Sequence, residues 1–337
     1  MKNNYPSLSI LTLTYNPRSD IFRKSLNSIK FQDYPKEKIE HIIIDGGSGE
    51  ETINLIKEYN CTALIKKEYK NDSEGRRSFG VKKAKNEIIL WLESDNVLPN
   101  ADSLKKLVEP FISDPKVIST FTLHYVHDRK LSLLDRYCGL IGAGDPVVFY
   151  LNKADRRPWF VDRYDKGKII KRYKNYDVVE FDEKNLPTVG DNGFLIKRQI
   201  LLKAKNSPAF YFHTDVFVDL LRLGYNRFGV VNSTAIAHIG EKSILRFVRR
   251  RTFYMKRDAA PSSIKNRRYA VFNSHSSQDI KKLILFVFYT MTIIQPIAVS
   301  IRGYLILRDK AWFIHPFICL FFLVYYAKAR IEMSLKI

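Results

Sequence analysis

The chain has 337 residues, of which 45% are hydrophobic and 27% charged. That balance excludes a disordered or fibrous chain and leaves room for one large domain or two small ones. A formal net charge of +21 with a pI near 9.7 points to a polyanionic partner: nucleic acid, an anionic membrane face or a phosphorylated substrate.

Cys61, Cys138 and Cys319 are too far apart for a metal spacing and read as reduced thiols of a cytosolic protein. Met1–Pro6 is polar and leads into a strand-like run, so no secretory signal is expected. Ser7–Thr14 is apolar and β-branched, a first strand that Tyr15-Asn16-Pro17 breaks. Asp20 is a candidate cap for a helix carrying Phe22, Leu26 and Ile29 on one face, with Gln32–Pro35 ending it. Glu40–Asp45 reads as a second strand closed by Gly46-Gly47-Ser48-Gly49, followed by a helix with Ile53 and Ile56 inward. Thr62–Ile65 is a third strand, Ser73–Lys85 a third helix and Glu87–Leu92 a fourth strand. Strands and helices alternating at this spacing predict a parallel, right-handed α/β sheet.

Three of these strands end in polar punctuation: Tyr15-Asn16, Asp45 to Ser48, and Glu93-Ser94-Asp95-Asn96. In a parallel sheet such ends gather on one edge, where ligands bind. Glycines there admit a ligand close to the backbone, and an Asp accepts bonds from a base or ribose. Glu93 and Asp95, two residues apart, suit a hard divalent cation shared with phosphates; the plain alternative is a solvated acidic turn. The dinucleotide and P-loop glycine signatures are absent.

Taken in order, ILTLTYN at Ile10–Asn16, IIIDGGS at Ile42–Ser48, GRRSFGVKKAKNEIILWL at Gly75–Leu92 and LESDN at Leu92–Asn96 resemble the family 2 glycosyltransferases. The resemblance implies a GT-A fold, a mostly parallel sheet flanked by helices, and a nucleotide-diphosphate sugar as donor. It places Asp45 at the nucleobase, Arg77 near the diphosphate, and Glu93 and Asp95 in a metal motif for Mg²⁺ or Mn²⁺. Thr14, Tyr15, Asn16, Gly46 and Ser94 complete the implied donor site. The family usually has Asp where Glu93 stands and Asn where Ser78 stands, which makes Asp95 the firmer metal ligand. A cation held there neutralises the charge that develops on a departing nucleoside diphosphate. Arg77 would add a bidentate phosphate contact, whereas Lys82, Lys83 and Lys85 read as a solvated helix face.

The middle of the chain is less patterned. Val117–Thr122 is a candidate strand, and Lys153–Lys174, dense in charge and aromatics, reads as long loops over the active edge. Leu186–Arg198 carries a Gly-Asp-Asn-Gly turn resembling the family's entry to the acceptor half. Tyr211–Leu223 follows as a helix with Val216, Leu220 and Leu223 on one face. Where the family commonly has Glu-Asp before this helix, the chain has Thr214-Asp215. The resemblance therefore gives Asp215 the role of general base in an inverting displacement, with Asp191 in reserve; a helix N-cap is the structural alternative for Asp215. Val230–His238 reads as a last strand. His238 at its end is either a structural histidine or, as in some GT-A enzymes, a third metal ligand.

Ser243–Arg257 mixes apolar residues with six Arg and Lys, the pattern of a basic helix on an anionic bilayer. Leu283–Ser300 and Ala311–Ala327 are uncharged and close to the roughly 20 residues a spanning helix needs. With Pro296 and Pro316 inside them, both a transmembrane hairpin and a re-entrant one are open. The expected organisation is a GT-A domain over residues 1–240, with a nucleotide-sugar half over 1–100 and an acceptor half over 101–240. A basic juxtamembrane segment over 241–282 and two hydrophobic membrane helices over 283–330 follow. The expected activity is a metal-dependent transfer with inversion to a membrane-associated acceptor, a lipid-linked saccharide or growing polysaccharide, with polyprenyl phosphate the alternative. The catalytic domain is expected on the cytosolic side, where nucleotide sugars are made, without nucleic acid as a partner. Two rivals are a basic nucleic-acid-binding protein and an inactive membrane scaffold.

Overall fold

The computed structural model describes residues 5–258 and 267–335; Met1–Asn4 of the polar start and residues 259–266 of the juxtamembrane segment lie outside them. In chain order the first elements are β1 (Leu8–Thr14), α1 (Ser19–Lys30), β2 (Ile39–Asp45), α2 (Glu50–Glu58), β3 (Thr62–Ile65), α3 (Ser73–Lys83), β4 (Ile88–Trp91) and β5 (Asn96–Val97). Then come α4 (Ser103–Ser113), β6 (Ser119–Thr122), α5 (Leu133–Ile141), α6 (Pro146–Tyr150), β7 (Lys168–Arg172), β8 (Tyr176–Glu180) and β9 (Phe194–Lys197). The last are α7 (Arg198–Leu201), α8 (Asp215–Arg222), β10 (Arg227–Val231), β11 (Ala237–His238), α9 (Ile244–Asp258), α10 (Ser277–Thr292), α11 (Ile294–Ile306) and α12 (His315–Ser334).

The chain divides into two compact units, Met1–Val126 with Arg163–Ile239, and His127–Asp162 with Gly240–Ile337. Residues 127–162 group with Gly240–Ile337, apart from the continuous 1–240 domain expected.

In the first unit nine strands form one sheet in the order β3-β2-β1-β4-β9-β6-β10-β8-β7. β3, β2, β1, β4, β6 and β10 share one direction, while β9 runs antiparallel between β4 and β6. β1 is buried along its whole length, as a central strand covered on both faces must be. One face packs Leu8 and Ile10 with Ile88, Leu90, Leu104 and Leu107, and Phe22 and Leu26 of α1 close over Ile43 and Leu55. Asp20 does not cap α1: Arg18 takes that position, and Asp20 sits in the first turn, 3.0 Å from the Arg18 guanidinium.

Val230–His238 is not one strand. β10 stops at Val231, because the polar Asn232 and Ser233 turn their backbone N–H groups to the Asn175 carbonyl. The chain resumes as β11, which pairs with β5 so that His238 lies opposite Asn96.

The second unit is helical. Ser132 caps α5 by accepting from the Asp135 N–H, and Gly142 ends it with φ of 70°. Its core joins Leu134, Tyr137, Phe247, Val299, Trp312 and Phe322. The uncharged stretch expected over Leu283–Ser300 is broken: α10 and α11 meet at Ile293, with φ of 61°, and diverge by 85°. Among the described residues, Lys310–Ser334 is the one unbroken helical stretch long and apolar enough to cross a bilayer.

Candidate active site

The carboxyl edge of the parallel strands gathers the sequence-predicted donor residues. Thr14, the last residue of β1, lies opposite Asp45, the last of β2. On the other side of β1, Leu11 lies opposite Trp91, and Leu92 continues the ladder by donating to the Leu11 carbonyl. Asp45 and the Glu93–Asp95 turn therefore leave the sheet at the same edge.

The first two loops are stitched together. Asn16, in the left-handed region with φ of 42°, accepts from the Gly49 N–H at 2.9 Å and donates its own N–H to Ser48 Oγ at 2.7 Å. Asp45 is fully buried and accepts from the Gly47 and Ser48 N–H groups at 2.7 Å each, so its carboxylate organises the glycine loop itself. Gly46 sits where no side chain fits. A Cβ there would lie 2.9 Å from Arg76 Nη1, 3.2 Å from Lys70 Cα and 3.3 Å from Tyr15 Cβ. Arg76 is anchored by donating to the Tyr69 and Lys70 carbonyls, and the Lys70 ammonium lies 5.2 Å from the centre of the Tyr15 ring. Among the described residues the buried Thr14 hydroxyl has no hydrogen-bond partner.

Arg77 is the hub of the deeper half. It is buried, and its Nη2 lies 2.6 Å from Glu93 Oε1 and 2.6 Å from Asp191 Oδ1. Glu74 stands 3.9 Å from Nε on the same helix, and the Trp91 ring faces the guanidinium at 5.2 Å. Arg77 thus ties the metal-motif turn to the Gly190–Gly193 turn that leads into β9, and is not turned outward to a diphosphate. Burial disfavours its charge, but Asp191, Glu93 and Glu74 outweigh that and push its pKa up. Three carboxylates around one guanidinium cannot all ionise freely. Burial, reinforced by Asp191, Asp95 and Glu74 against the pull of Arg77, pushes Glu93 up to about 8. Asp191 is half-buried, which disfavours its charge, yet Arg77, His213 and His238 hold it well below the usual carboxylate range. The split follows exposure, 17% of the Glu93 side chain against 32% for Asp191.

Asp95 faces elsewhere. Its Oδ2 lies 3.4 Å from His238 Nε2, and its Oδ1 accepts from Asn96 Nδ2 at 3.1 Å. Asn96 Nδ2 also donates to Asn192 Oδ1 at 3.0 Å, and the Ile239 N–H to the Asp95 carbonyl at 2.9 Å, so the β5–β11 pairing sets His238 beside Asp95. Ser94 is half-buried between the two carboxylates. Among the described residues no three His, Cys, Asp or Glu side chains converge on one metal position. Asp95 and His238 nevertheless offer one oxygen and one imidazole nitrogen from facing loops, which fits a cation whose remaining positions go to phosphate and water.

Asp215 is not at the helix cap; Thr214 holds that position and Asp215 opens α8 fully buried. The turn at Gly190 packs against the segment just before it, so close that a Cβ on Gly190 would sit 2.5 Å from the His213 carbonyl oxygen. Sequence reasoning missed Glu74 and His213. The Glu74 carboxylate accepts from the His213 N–H at 2.9 Å and meets its Nδ1 at 2.8 Å, bracing the approach to α8. Glu74 and Arg77 share a helix face at i, i+3, the one local signal; the partner is 139 residues away.

A family description, glycosyl transferase family 2, matches residues 9–200. Poly(ribitol-phosphate) beta-N-acetylglucosaminyltransferase TarS of Staphylococcus aureus is 29% identical over 101 residues, 29% of this chain and 17% of that protein. Glycosyltransferase AglE of Haloferax volcanii is 29% identical over 100 residues, 28% of this chain and 32% of its own length. The matched stretch is thus a third or less of either relative. Among solved structures, the mannosyltransferase PcManGT of Pyrobaculum calidifontis, in complex with GDP-Man and Mn²⁺, superposes with a TM-score of 0.52 at 14% identity, covering 97% of this chain and 88% of that one. GalNAc-T7 with UDP, GalNAc and Mn²⁺ superposes with a TM-score of 0.50 at 17% identity, over 71% of this chain and 44% of that one. These likenesses show a shared GT-A architecture.

Proposed function

Because the chain belongs to glycosyl transferase family 2 and is a glycosyltransferase using a nucleotide-sugar donor, we propose that it transfers the sugar to a membrane-associated acceptor, with inversion and with a divalent cation. One observation carries this reading: the glycine loop after Asp45 and the acidic turn of Glu93–Asp95 share one strand edge with the Gly190–Gly193 turn. Tyr15, Asn16 and Gly46 line the donor side, with Lys70 and Arg76 supplying positive charge beside them. Asp95 and His238 would hold Mg²⁺ or Mn²⁺, as the Mn²⁺ bound in two structural neighbours supports, and the cation would neutralise charge on the departing diphosphate. Glu93, bound by Arg77, keeps the acidic turn and the acceptor turn in register.

The acceptor hydroxyl needs a carboxylate that is ionised and reachable. Asp191 is both, held ionised by Arg77 and part-exposed, whereas Asp215 is sealed in the fold. We therefore assign the proton acceptor to Asp191 in preference to Asp215. Its low basicity means that proton transfer follows formation of the new C–O bond, once the attacking oxygen has become strongly acidic. Outward apolar rows and a basic helix in the second unit favour an acceptor carried by lipid.

The test is nucleoside diphosphate release from a panel of nucleotide sugars by membranes containing the full chain, with Mn²⁺ present. Turnover with at least one donor, lost in Asp95→Ala, is expected; no release across the panel overturns the reading. Asp191→Asn is expected to lower kcat by ~10² or more with donor affinity retained. A variant Asp215→Asn that folds, binds donor and shows the larger loss returns the role to Asp215.

A further inference from the structure

The second unit presents outward rows of large apolar side chains on three helices. Ile284, Phe288 and Met291 stand exposed along α10, and Ile294, Ile297 and Leu305 along α11. Phe317, Phe321 and Val324 continue the pattern on α12. So many exposed apolar side chains call for a cover. The charge of the unit identifies it: residues 127–162 and 240–337 hold 24 of the 56 Lys and Arg but 10 of the 35 Asp and Glu, two-thirds of the net +21. Exposed apolar rows on a unit this basic are the complement of an anionic bilayer surface.

Three further observations decide how the unit meets that surface. First, the α10–α11 stretch turns by 85° at Ile293, a β-branched residue held at φ of 61°. Such a residue in the left-handed region is a costly outlier, and it turns the chain aside where a spanning helix would continue. Second, the α11–α12 connection, which a transmembrane hairpin would put across the membrane from the catalytic unit, is tied to the start of the second unit. Asp309 pairs with His127 Nε2 at 2.8 Å and Arg136 Nε at 3.0 Å, and Arg129 donates to the Arg308 carbonyl at 3.1 Å. His127 directly follows Val126, the last residue of the catalytic unit's first stretch. Third, α12 lies along α9, with Phe247 on Phe322 at 5.7 Å and Lys256 paired to Glu332. α9 carries Arg246, Arg249, Arg250, Arg251, Lys256 and Arg257. Sending α12 across the hydrocarbon would take those six cations with it, and each opposes insertion more strongly than an apolar side chain favours it.

We propose that the second unit is a one-sided membrane seat. α10, α11 and α12 enter a single leaflet by their apolar rows, α9 lies at anionic headgroups, and no helix crosses. The proposal rests on the membrane-associated reading above for its choice of partner, but not on turnover. It replaces the transmembrane hairpin expected over 283–330.

Its test uses the full chain reconstituted with sealed vesicles of phosphatidylcholine, with and without phosphatidylglycerol. Flotation is expected to be strong with phosphatidylglycerol and weak without it. The double variant Phe288→Asp with Ile294→Asp, both at exposed positions, is expected to float at least ~10-fold less while keeping its catalytic unit's affinity for nucleoside diphosphate. A bilayer-impermeant maleimide added outside is expected to label Arg308→Cys and Lys24→Cys equally, above the wild-type background. Labelling of Lys24→Cys alone, with Arg308→Cys reacting only after vesicle lysis, overturns the proposal in favour of a spanning hairpin. Failure to float on either vesicle, with the protein a stable dimer in solution, overturns it in favour of a second copy covering the apolar rows. Loss of turnover with flotation and labelling intact contradicts the proposed reaction and leaves the seat standing.

Discussion

Glu93→Gln isolates the charge arrangement around Arg77. Glu93 titrates near 8 in the folded chain against an ordinary value of 4.5. A carboxyl that is harder to ionise when folded contributes stability that is fully present below its unfolded pKa and is lost as pH rises through the folded one. Each pH unit in that window carries about 1.4 kcal/mol, so the wild type is expected to lose on the order of 3–5 kcal/mol between pH 4.5 and 8 from this group. Asp191 has the opposite sign. Its folded value is depressed, so its contribution is present above the ordinary carboxylate value and constant across the same window. Gln keeps the shape of protonated Glu93 without its proton, and should flatten the slope. The assay is a series of melts in EDTA from pH 5.5 to 8.5, where ~2–4 °C corresponds to 1 kcal/mol for a unit of this size. At pH 6, Glu93→Gln should melt within a few degrees of wild type, while Asp191→Asn, which strips the guanidinium of its nearest ionised partner, should cost about 2–3 kcal/mol. Parallel pH profiles for wild type and Glu93→Gln, or a larger loss from Glu93→Gln than from Asp191→Asn at pH 6, would refute the assignment.

Other substitutions probe separate parts of the fold. Gly46→Ala puts a methyl group 2.9 Å from the anchored Arg76 guanidinium and 3.2 Å from the Lys70 backbone; a loss of about 1–3 kcal/mol and weaker nucleoside diphosphate binding by calorimetry are expected. Gly303→Ala drives a Cβ into three ring atoms of the fully buried Trp312, so the α11–Trp312 contact must open, and a proteolysis time course should show the second unit cut faster. His238→Ala should raise the Mn²⁺ concentration giving half-maximal turnover by ~10-fold or more, with the melting temperature in EDTA nearly unchanged.

Legibility of the fold followed burial and locality. β1, β2 and β4 read directly because each carries a short apolar or β-branched run that buried strands require, and their polar ends had to gather wherever parallel strands stop. β9 did not read as a central strand. Its partners Trp91 and Ser119 are contributed by stretches about a hundred and eighty residues upstream, and the Phe194–Lys197 run is too short to announce its neighbours. β10 and β11 merged in the sequence because Val231 and the apolar Ala235–Ala237 bracket only three polar residues. What separates them is the pairing of Asn232 and Ser233 with Asn175, which no local pattern encodes. The Ser132 cap and Gly142 stop of α5 were legible signals that the charged surroundings obscured.

The site shows the same division. Its backbone scaffold follows from local chemistry, whereas the partnership of each charge is a long-range fact. Arg77 sits on a helix near the expected diphosphate, yet two of the carboxylates that hold it come from the ends of β4 and of the turn before β9. The one departure from the family pattern in the acidic turn, Glu where Asp is usual, gains a physical reason here. The extra methylene gives the Glu93 carboxylate the reach to meet the Arg77 guanidinium at 2.6 Å, while the shorter Asp95 points to His238 from the other side of the turn. A shorter Asp at position 93 would leave Arg77 with Asp191 as its one close carboxylate partner and shift the proton balance of all three acids. Glu93→Asp should therefore make Arg77 lean harder on Asp191, so that Asp191→Asn costs more stability in the Glu93→Asp background than in the wild type, read by the same melts in EDTA at pH 6; an equal cost in both backgrounds would refute the coupling.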